Sequence, residues 1–387
     1  ASKHGIEMLV LDDGWFGKRN DDRTSLGDWV VNEDKLKGGL RKLVNKINSL
    51  GMKFGIWFEP EMISENSELY RRHPDWCIHT PGCAPIESRS QLVLDMARSE
   101  VVDCIYNQLA ALLNEYDITY VKWDMNRSIT ECYSVALPAD RQGEVFHRYI
   151  LGVYDLYERL TSEFPEVLFE SCSSGGGRFD PGMLYYAPQG WTSDDSDAIE
   201  RLKIQYGTSL CYPISSMGSH VSVIPNHQVF RKTPLHTRAN VAYFGTFGYE
   251  LDLNSLKEEE IAEVKEQIIF MKKYRKLFQF GDFYRLKSPF EGNETIWMVV
   301  SEDKKTAIVG YYRTLNGVNQ AYSRIKLQGL DPDMLYENIL NKTENYGDEL
   351  MNFGLITTDV TAGEVPGDAT PCTDFESRIY ILKAKEK

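Results

Sequence analysis

The stretch YVKWDMN (residues 120–126) decides how the chain is to be folded. It begins as an apolar, strand-like run and ends in a cation, an indole, a carboxylate and an amide: Lys122, Trp123, Asp124 and Asn126. A strand that only packs has no use for these groups at its tip. Lys122, Asp124 and Asn126 share one face by the two-residue period of a strand. A nearby cation favours the charged form of a carboxylate, as a nucleophile at neutral pH requires. The plain alternative is a structural Lys–Asp pair, but burying both charges without a use is costly.

The same pattern recurs outward from this stretch. Strand candidates are MLVLDD (8–13), KFGIWFE (53–59), QLVLDM (91–96), YVKWD (120–124), VLFESC (167–172), and two weaker ones, GWTSDD (190–195) and YPISSM (212–217). Helical patterns cover 35–50, 98–115, 141–163, 198–210 and 255–278, the last opening at Ser255 ahead of acidic residues. Strand–helix alternation of this kind predicts βαβ units and a parallel sheet. No GxGxxG follows the first strand, which argues against a dinucleotide site. Polar groups sit instead at the end of nearly every strand: Asp12 and Asp13, Trp57 and Glu59, Asp95, Lys122 and Asp124, Glu170 and Cys172, Asp194. A (β/α)8 barrel builds its active site from all those ends, whereas an open sheet uses mainly one crevice. The expected class is therefore α/β, a (β/α)8 TIM barrel. These are seven barrel strands, with little chain before MLVLDD, so the first βα unit is expected to be lacking. Past about residue 285, short alternating runs such as ETIWMVVSED and SRIYILKA predict a C-terminal antiparallel β-sandwich. The expected domains are 1–285, a catalytic barrel, and 286–387, the sandwich.

Composition narrows the function. A net charge of −14 over 387 residues argues against nucleic acid and anionic lipid as partners. No apolar run of about 20 residues is present, so no membrane span is expected. The seven cysteines (77, 83, 104, 132, 172, 211 and 372) have no metal-ligand spacing and read as free thiols in a cytoplasmic protein. His73, His79, His220 and His227 lack the His-x-His or HExxH pattern of a metal-dependent barrel, so no metal is expected.

Several segments carry chemistry. In VLDDGWF, Asp12 and Asp13 can both reach a ligand only where the strand gives way to a loop, and Gly14 supplies that break; capping or a turn is the alternative. Trp57 and Glu59 share a face, with a core Trp and a solvated Glu as the alternative. In FESCSSGGGRFD (169–180), consecutive glycines let the backbone approach a ligand, while GxSxG and Gly-Lys-Ser/Thr are absent. In GWTSDDSDA (190–198), one of Asp194, Asp195 and Asp197 could donate a proton, and at least one is expected to cap the next helix. Two carboxyl groups plus polar and aromatic contacts are what glycoside hydrolysis requires.

At LDDGWF, KWDMNR, CSSGGGRFDPGMLYY and WTSDDSDAIERLKIQYG the chain resembles the bacterial α-galactosidases of glycoside hydrolase family 36. The resemblance covers essentially the whole chain. It implies a retaining hydrolase of terminal α-galactosides such as melibiose and raffinose, with no cofactor and a homo-oligomeric full-length form. It implies Asp124 as nucleophile and Asp194 as acid/base, and Asp12 and Asp13 on the galactose 4- and 6-hydroxyls. Lys122, Asn126, Cys172, Ser174 and Gly175 would line the pocket, Trp57 and Trp191 would wall it, and Arg89 would sit at its edge. The rivals are an α-N-acetylgalactosaminidase, an α-galactosyltransferase of the same family, and an inactive galactoside-binding fragment.

Overall fold

A computed structural model describes residues 1–318, 323–357 and 373–385; Cys372 lies outside the described residues. The chain forms two compact units, Ala1–Trp191 and Thr192–Lys387. In the first, the elements are β1 (Met8–Leu11), α1 (Gly39–Ser49), β2 (Lys53–Phe58), β3 (Met62–Ile63), α2 (Glu68–Arg72), β4 (Leu92–Val93), α3 (Ser99–Glu115), β5 (Tyr120–Trp123), α4 (Val145–Glu163), β6 (Leu168–Ser171), α5 (Pro181–Tyr186) and β7 (Gln189–Trp191). Strands β1, β2, β5, β6 and β7 lie parallel in that order.

Strand β2, KFGIWF, is buried at every position after Lys53, as befits a parallel strand covered on both faces. Gly55 lets its neighbours close in. A Cβ there would stand 3.0 Å from the Tyr120 Cβ on β5 and 3.1 Å from Val10 on β1. The intervening helices bury one stripe each: Leu40, Val44 and Ile47 on α1, and Tyr149, Val153, Leu156, Tyr157 and Leu160 on α4. Each such side chain contributes roughly 1.5–3 kcal/mol on burial.

One predicted barrel strand is not in the sheet. QLVLDM provides only the two-residue β4, which pairs antiparallel with β3. Its residues are apolar because the β2–α3 connection folds back into the core, where Leu92, Val93, Leu94 and Met96 are buried. YVKWD is therefore the third parallel strand here, not the fourth.

A buried, bidentate ion pair joins Glu61 and Arg178. Arg178 donates from both terminal nitrogens to Glu61 at 2.8 Å, and Glu61 also accepts from Trp123 Nε1 (2.8 Å) and the Tyr149 hydroxyl (2.5 Å). Glu61 is wholly buried. This cluster ties the segment after β2 to β5, α4 and the Ser/Gly loop after β6.

In the second unit, α6 (Ala198–Thr208), β8 (Met217–Ser222), α7 (Leu235–Ala242), β9 (Thr246–Glu250) and α8 (Glu258–Phe280) continue the alternation, with β8 and β9 parallel. YPISSM is mostly a 3-10 turn (Ile214–Ser216), and the strand begins at Met217. Strand β9 lies outside the expected strands, because Gly248 interrupts its pattern and most of it is only half-buried. Ser255 lies in a short 3-10 turn. The N-cap of α8 is Lys257, whose backbone N–H donates to Glu260 at 2.9 Å.

The remainder is antiparallel: β10 (Asp282–Lys287), β11 (Glu294–Val300), β12 (Thr306–Arg313), β13 (Arg324–Ile325), β14 (Leu335–Asn338), β15 (Glu344–Tyr346), β16 (Leu355–Ile356) and β17 (Glu376–Ala384). Six strands form one sheet, ordered β10-β11-β12-β17-β14-β15, and β13 pairs β16 in a second. Both sheets contribute to one core, Met298, Val309 and Tyr380 from the large and Ile325 and Leu355 from the small. The fold class is thus α/β of barrel type followed by an antiparallel β part. No helix among the described residues is long and apolar enough to cross a membrane.

Two stability predictions follow from these buried charges. Arg178→Met leaves Glu61 as an unpaired buried carboxylate and should cost about 3–5 kcal/mol; a loss under about 1 kcal/mol in urea unfolding would contradict the clamp. In the second unit, burial works to raise the Glu294 carboxyl, but hydrogen bonds from Lys287, Ser323 and Tyr311 outweigh it and hold it at about 2, below its ordinary 4.5. Such a depressed carboxyl stabilises the fold above about pH 4.5 and ceases to do so as pH falls toward 2. Glu294→Gln should cost on the order of 2–3 kcal/mol at neutral pH, with the gap to the parent narrowing between pH 4.5 and 2. An equal gap at both ends of that range would show that the charge is not responsible.

Candidate active site

The β2–β5 ladder sets the site. Trp57 is paired with Lys122 and Phe58 with Trp123, and the ladder runs one residue further, with the Asp124 N–H donating to Phe58 O at 2.8 Å. Side chains alternate along this strand. Trp123 turns away and stacks on Tyr157, ring centroids 4.0 Å apart. Asp124 takes the opposite face, where three donors meet it. Its Oδ2 accepts from Trp57 Nε1 (3.1 Å) and Asn126 Nδ2 (2.7 Å), and its Oδ1 from the Met125 N–H (2.9 Å). Trp57 is itself almost fully buried and stacked on Phe16, so it acts on Asp124 through its indole edge.

Lys122 does not reach Asp124. Its ammonium crosses to β1 and pairs with Asp12 Oδ2 at 3.0 Å. Burial opposes the Lys122 charge, but Asp12 and the Glu170 carboxylate outweigh it and push its pKa up. Asp12 and Asp13 part company where the chain turns at Gly14, φ 103°. Asp13 is bound by the guanidinium of Arg19, Nε to Oδ1 at 3.0 Å and Nη2 to Oδ2 at 2.8 Å. Arg19 was not read from the sequence. Its only signal is a cation six residues after an aspartate, which many surface loops show.

The loop after β6 completes this side. Cys172 N–H donates to Trp123 O, and Ser173 Oγ to Met125 O. Ser174 and Gly175 both have left-handed backbones, φ 44° and 83°, as do Arg89 and Ser90 in the facing loop, φ 52° and 58°. Non-glycine residues in this region carry strain of about 1–3 kcal/mol each and concentrate at functional sites. Arg89 donates to Asn126 O (3.3 Å) and Ser174 Oγ (3.4 Å), and Ser174 Oγ donates to Asn126 Oδ1 (3.4 Å). Trp57, Asp124, Asn126, Ser174 and Arg89 thus form one hydrogen-bonded chain. Cys172 is buried beside it, and burial, aided by the charge of Asp124, pushes its thiol pKa up, so it is no thiolate nucleophile. Trp191, closing β7, is buried. Glu59, wholly buried behind this chain, accepts from the Asn126 N–H at 2.5 Å.

In the second unit, residues 192–197 form a tightly held turn. Buried Arg201 donates to Ser193 O (2.8 Å), Asp195 O (2.9 Å), Gly218 O (3.2 Å) and the Thr192 hydroxyl. Gln228 Nε2 donates to the backbone oxygen of Asp194 at 2.9 Å. Asp197 is the N-cap of α6, accepting from the Ile199 and Glu200 N–H groups and from Arg231. Asp195 Oδ1 accepts from the Asp197 N–H at 3.1 Å. Two of the three aspartates in TSDDSD therefore serve the turn and the helix. Among the described residues, no group of three or more His, Cys, Asp and Glu side chains could hold a metal ion.

The comparisons with known proteins agree across the whole chain. Residues 1–281 match the Melibiase family, and residues 294–382 match the glycosyl hydrolase family 36 C-terminal domain. α-Galactosidase AgaA of Geobacillus stearothermophilus is 58% identical over 389 aligned positions, covering 100% of this chain and 51% of that protein. α-Galactosidase 1 of Pediococcus pentosaceus is 49% identical, covering 99% and 51%. The crystal structure of a variant of AgaA in complex with raffinose superposes with a TM-score of 0.95 at 54% identity, covering 99% of this chain and 52% of that one. The chain spans about half the length of the curated relatives it matches. With this agreement in sequence and fold, the chain belongs to the melibiase family and carries the C-terminal domain of glycosyl hydrolase family 36.

Proposed function

We propose that the protein is a retaining α-galactosidase acting on terminal α-galactosides of the raffinose and melibiose kind by double displacement. The observation that carries this reading is Asp124, a buried carboxylate at a strand end held by three N–H donors in a member of this family. Variants of AgaA have been crystallised with raffinose and with stachyose, which supports the substrate class.

An Asp124 oxygen attacks the anomeric carbon as the bond to the leaving oxygen breaks, and Asp194 gives that oxygen its proton. Water then adds to the anomeric carbon, Asp194 takes its proton, and the bond to Asp124 breaks to release α-galactose. The choice of Asp194 rests on its place in WTSDDSD, the stretch that resembles the family, with Asp197 serving as the helix cap. Asp12 and Asp13 bind the 4- and 6-hydroxyls, their orientations fixed by Lys122 and Arg19. Asn126, Cys172, Ser174 and Gly175 line the sugar's other edge, with Lys122 beside Asp12 and Arg89 at the rim. Trp57 and Trp191 form the apolar sides. In this reading residues 1–285 are the catalytic body and 286–387 an accessory β domain, in a cytoplasmic homo-oligomer.

Asp124→Ala should lower kcat by on the order of 10^3-fold or more, and azide should restore turnover as the β-galactosyl azide. Rescue giving the α-azide, or none while another carboxylate variant is rescued, would remove Asp124 from the role. Turnover of nitrophenyl α-galactoside should far exceed that of its N-acetyl analogue. The reverse preference would favour an α-N-acetylgalactosaminidase.

A further inference from the structure

Glu59 is a buried carboxyl of the site region that the proposed chemistry does not use. Its carboxyl is wholly buried at the end of β2, on the segment that presents Trp57. Its two oxygens take neutral donors: Oε1 the backbone N–H of Asn126 at 2.5 Å, and Oε2 the side-chain amide of Gln91 at 2.9 Å. Glu61, two residues on and equally buried, is instead matched by the Arg178 guanidinium. A buried carboxylate without a direct cation is unfavourable, and the usual resolution is to keep its proton.

Asn126 is the link to the reacting group. Its backbone N–H is held by Glu59 while its side chain donates to Asp124 Oδ2 at 2.7 Å. One residue thus spans two carboxyl groups, one at each end. We propose that Glu59 is a positioning residue for Asp124: as an uncharged acid it fixes Asn126, and thereby the nucleophile's orientation, without adding a second negative charge beside it. The charged groups that act on Glu59 are Asp124 at the end of β5, Arg19 in the loop after β1 and Arg89 in the loop before β4. Burial first, then the Asp124 charge, pushes its carboxyl up to about 8, and the Asn126 N–H and the two arginines only partly offset this. Gln91 Oε1 is buried with no hydrogen-bond partner as the amide is oriented here; turning the amide would let it accept the Glu59 proton.

The inference rests on Asp124 being the nucleophile, which azide rescue of Asp124→Ala tests by itself. Glu59→Gln keeps an acceptor for the Asn126 N–H and removes the ionisation. Asp194, as general acid, sets an alkaline limb in both enzymes; the parent should show a further loss of kcat/KM with an inflection near 8 that Glu59→Gln lacks, the variant staying within about tenfold of the parent at pH 6. An inflection near 8 that persists in Glu59→Gln, or that is missing from the parent, would overturn the proposal even where azide rescue succeeds. Should that variant not fold, infrared spectroscopy of Asp194→Asn decides the matter. A protonated-carboxyl band that persists at neutral pH and bleaches near pH 8 is expected, and its absence would overturn the proposal.

Discussion

Everything at the centre of the first unit depends on the parallel pairing of β2 with β5. Because the ladder places Trp57 beside Lys122 and continues to the Asp124 N–H, successive side chains of β5 are sent to opposite faces with no freedom left. A slip of one residue would exchange Trp123 with Asp124. That would bury an aspartate against Tyr157 and remove the indole from Glu61, losing both the ring stack and the hydrogen bond. The close approach that holds the register comes from Gly55, where no side chain separates β1 from β5.

The segment FEPEM after β2 shows two ways of burying a carboxyl group two residues apart. Glu61 is charged and matched by a bidentate guanidinium, a tyrosine hydroxyl and an indole, and it serves as an anchor under the sheet. Glu59 meets only amides and faces the catalytic strand. The first arrangement resists change because breaking it strands a charge. The second leaves a proton that can be lost within an accessible pH range. At the 192–197 turn, Arg201 donates to backbone oxygens, and Asp195 and Asp197 accept from backbone amides.

Strand type and the chemistry at strand ends were legible in the sequence because both follow from local periodicity. Partners were not. QLVLDM has the apolar texture of a barrel strand, yet texture reports burial and not which backbone lies alongside; its partner is β3. The strand at 246–250 is hidden for the opposite reason, since a central glycine and half-buried side chains leave no pattern to read. The same limit applies within the site. Period two places Lys122 and Asp124 on one face, but the lysine reaches across to Asp12, and among the donors that meet Asp124 is the Trp57 indole, 67 residues away in sequence. Arg19, Arg178 and Glu59 acquire their roles only through contacts made by folding.

The central claim, that Asp124 forms a covalent bond to the sugar, is tested most directly by trapping the intermediate. A 5-fluoro-α-galactosyl fluoride should form the glycosyl-enzyme quickly and leave it slowly. Peptide mapping by mass spectrometry should then find one added fluorogalactosyl group on the peptide containing YVKWDMN, borne by Asp124. A label on any other carboxylate, or turnover that inverts the anomeric centre and leaves no label, would contradict the account.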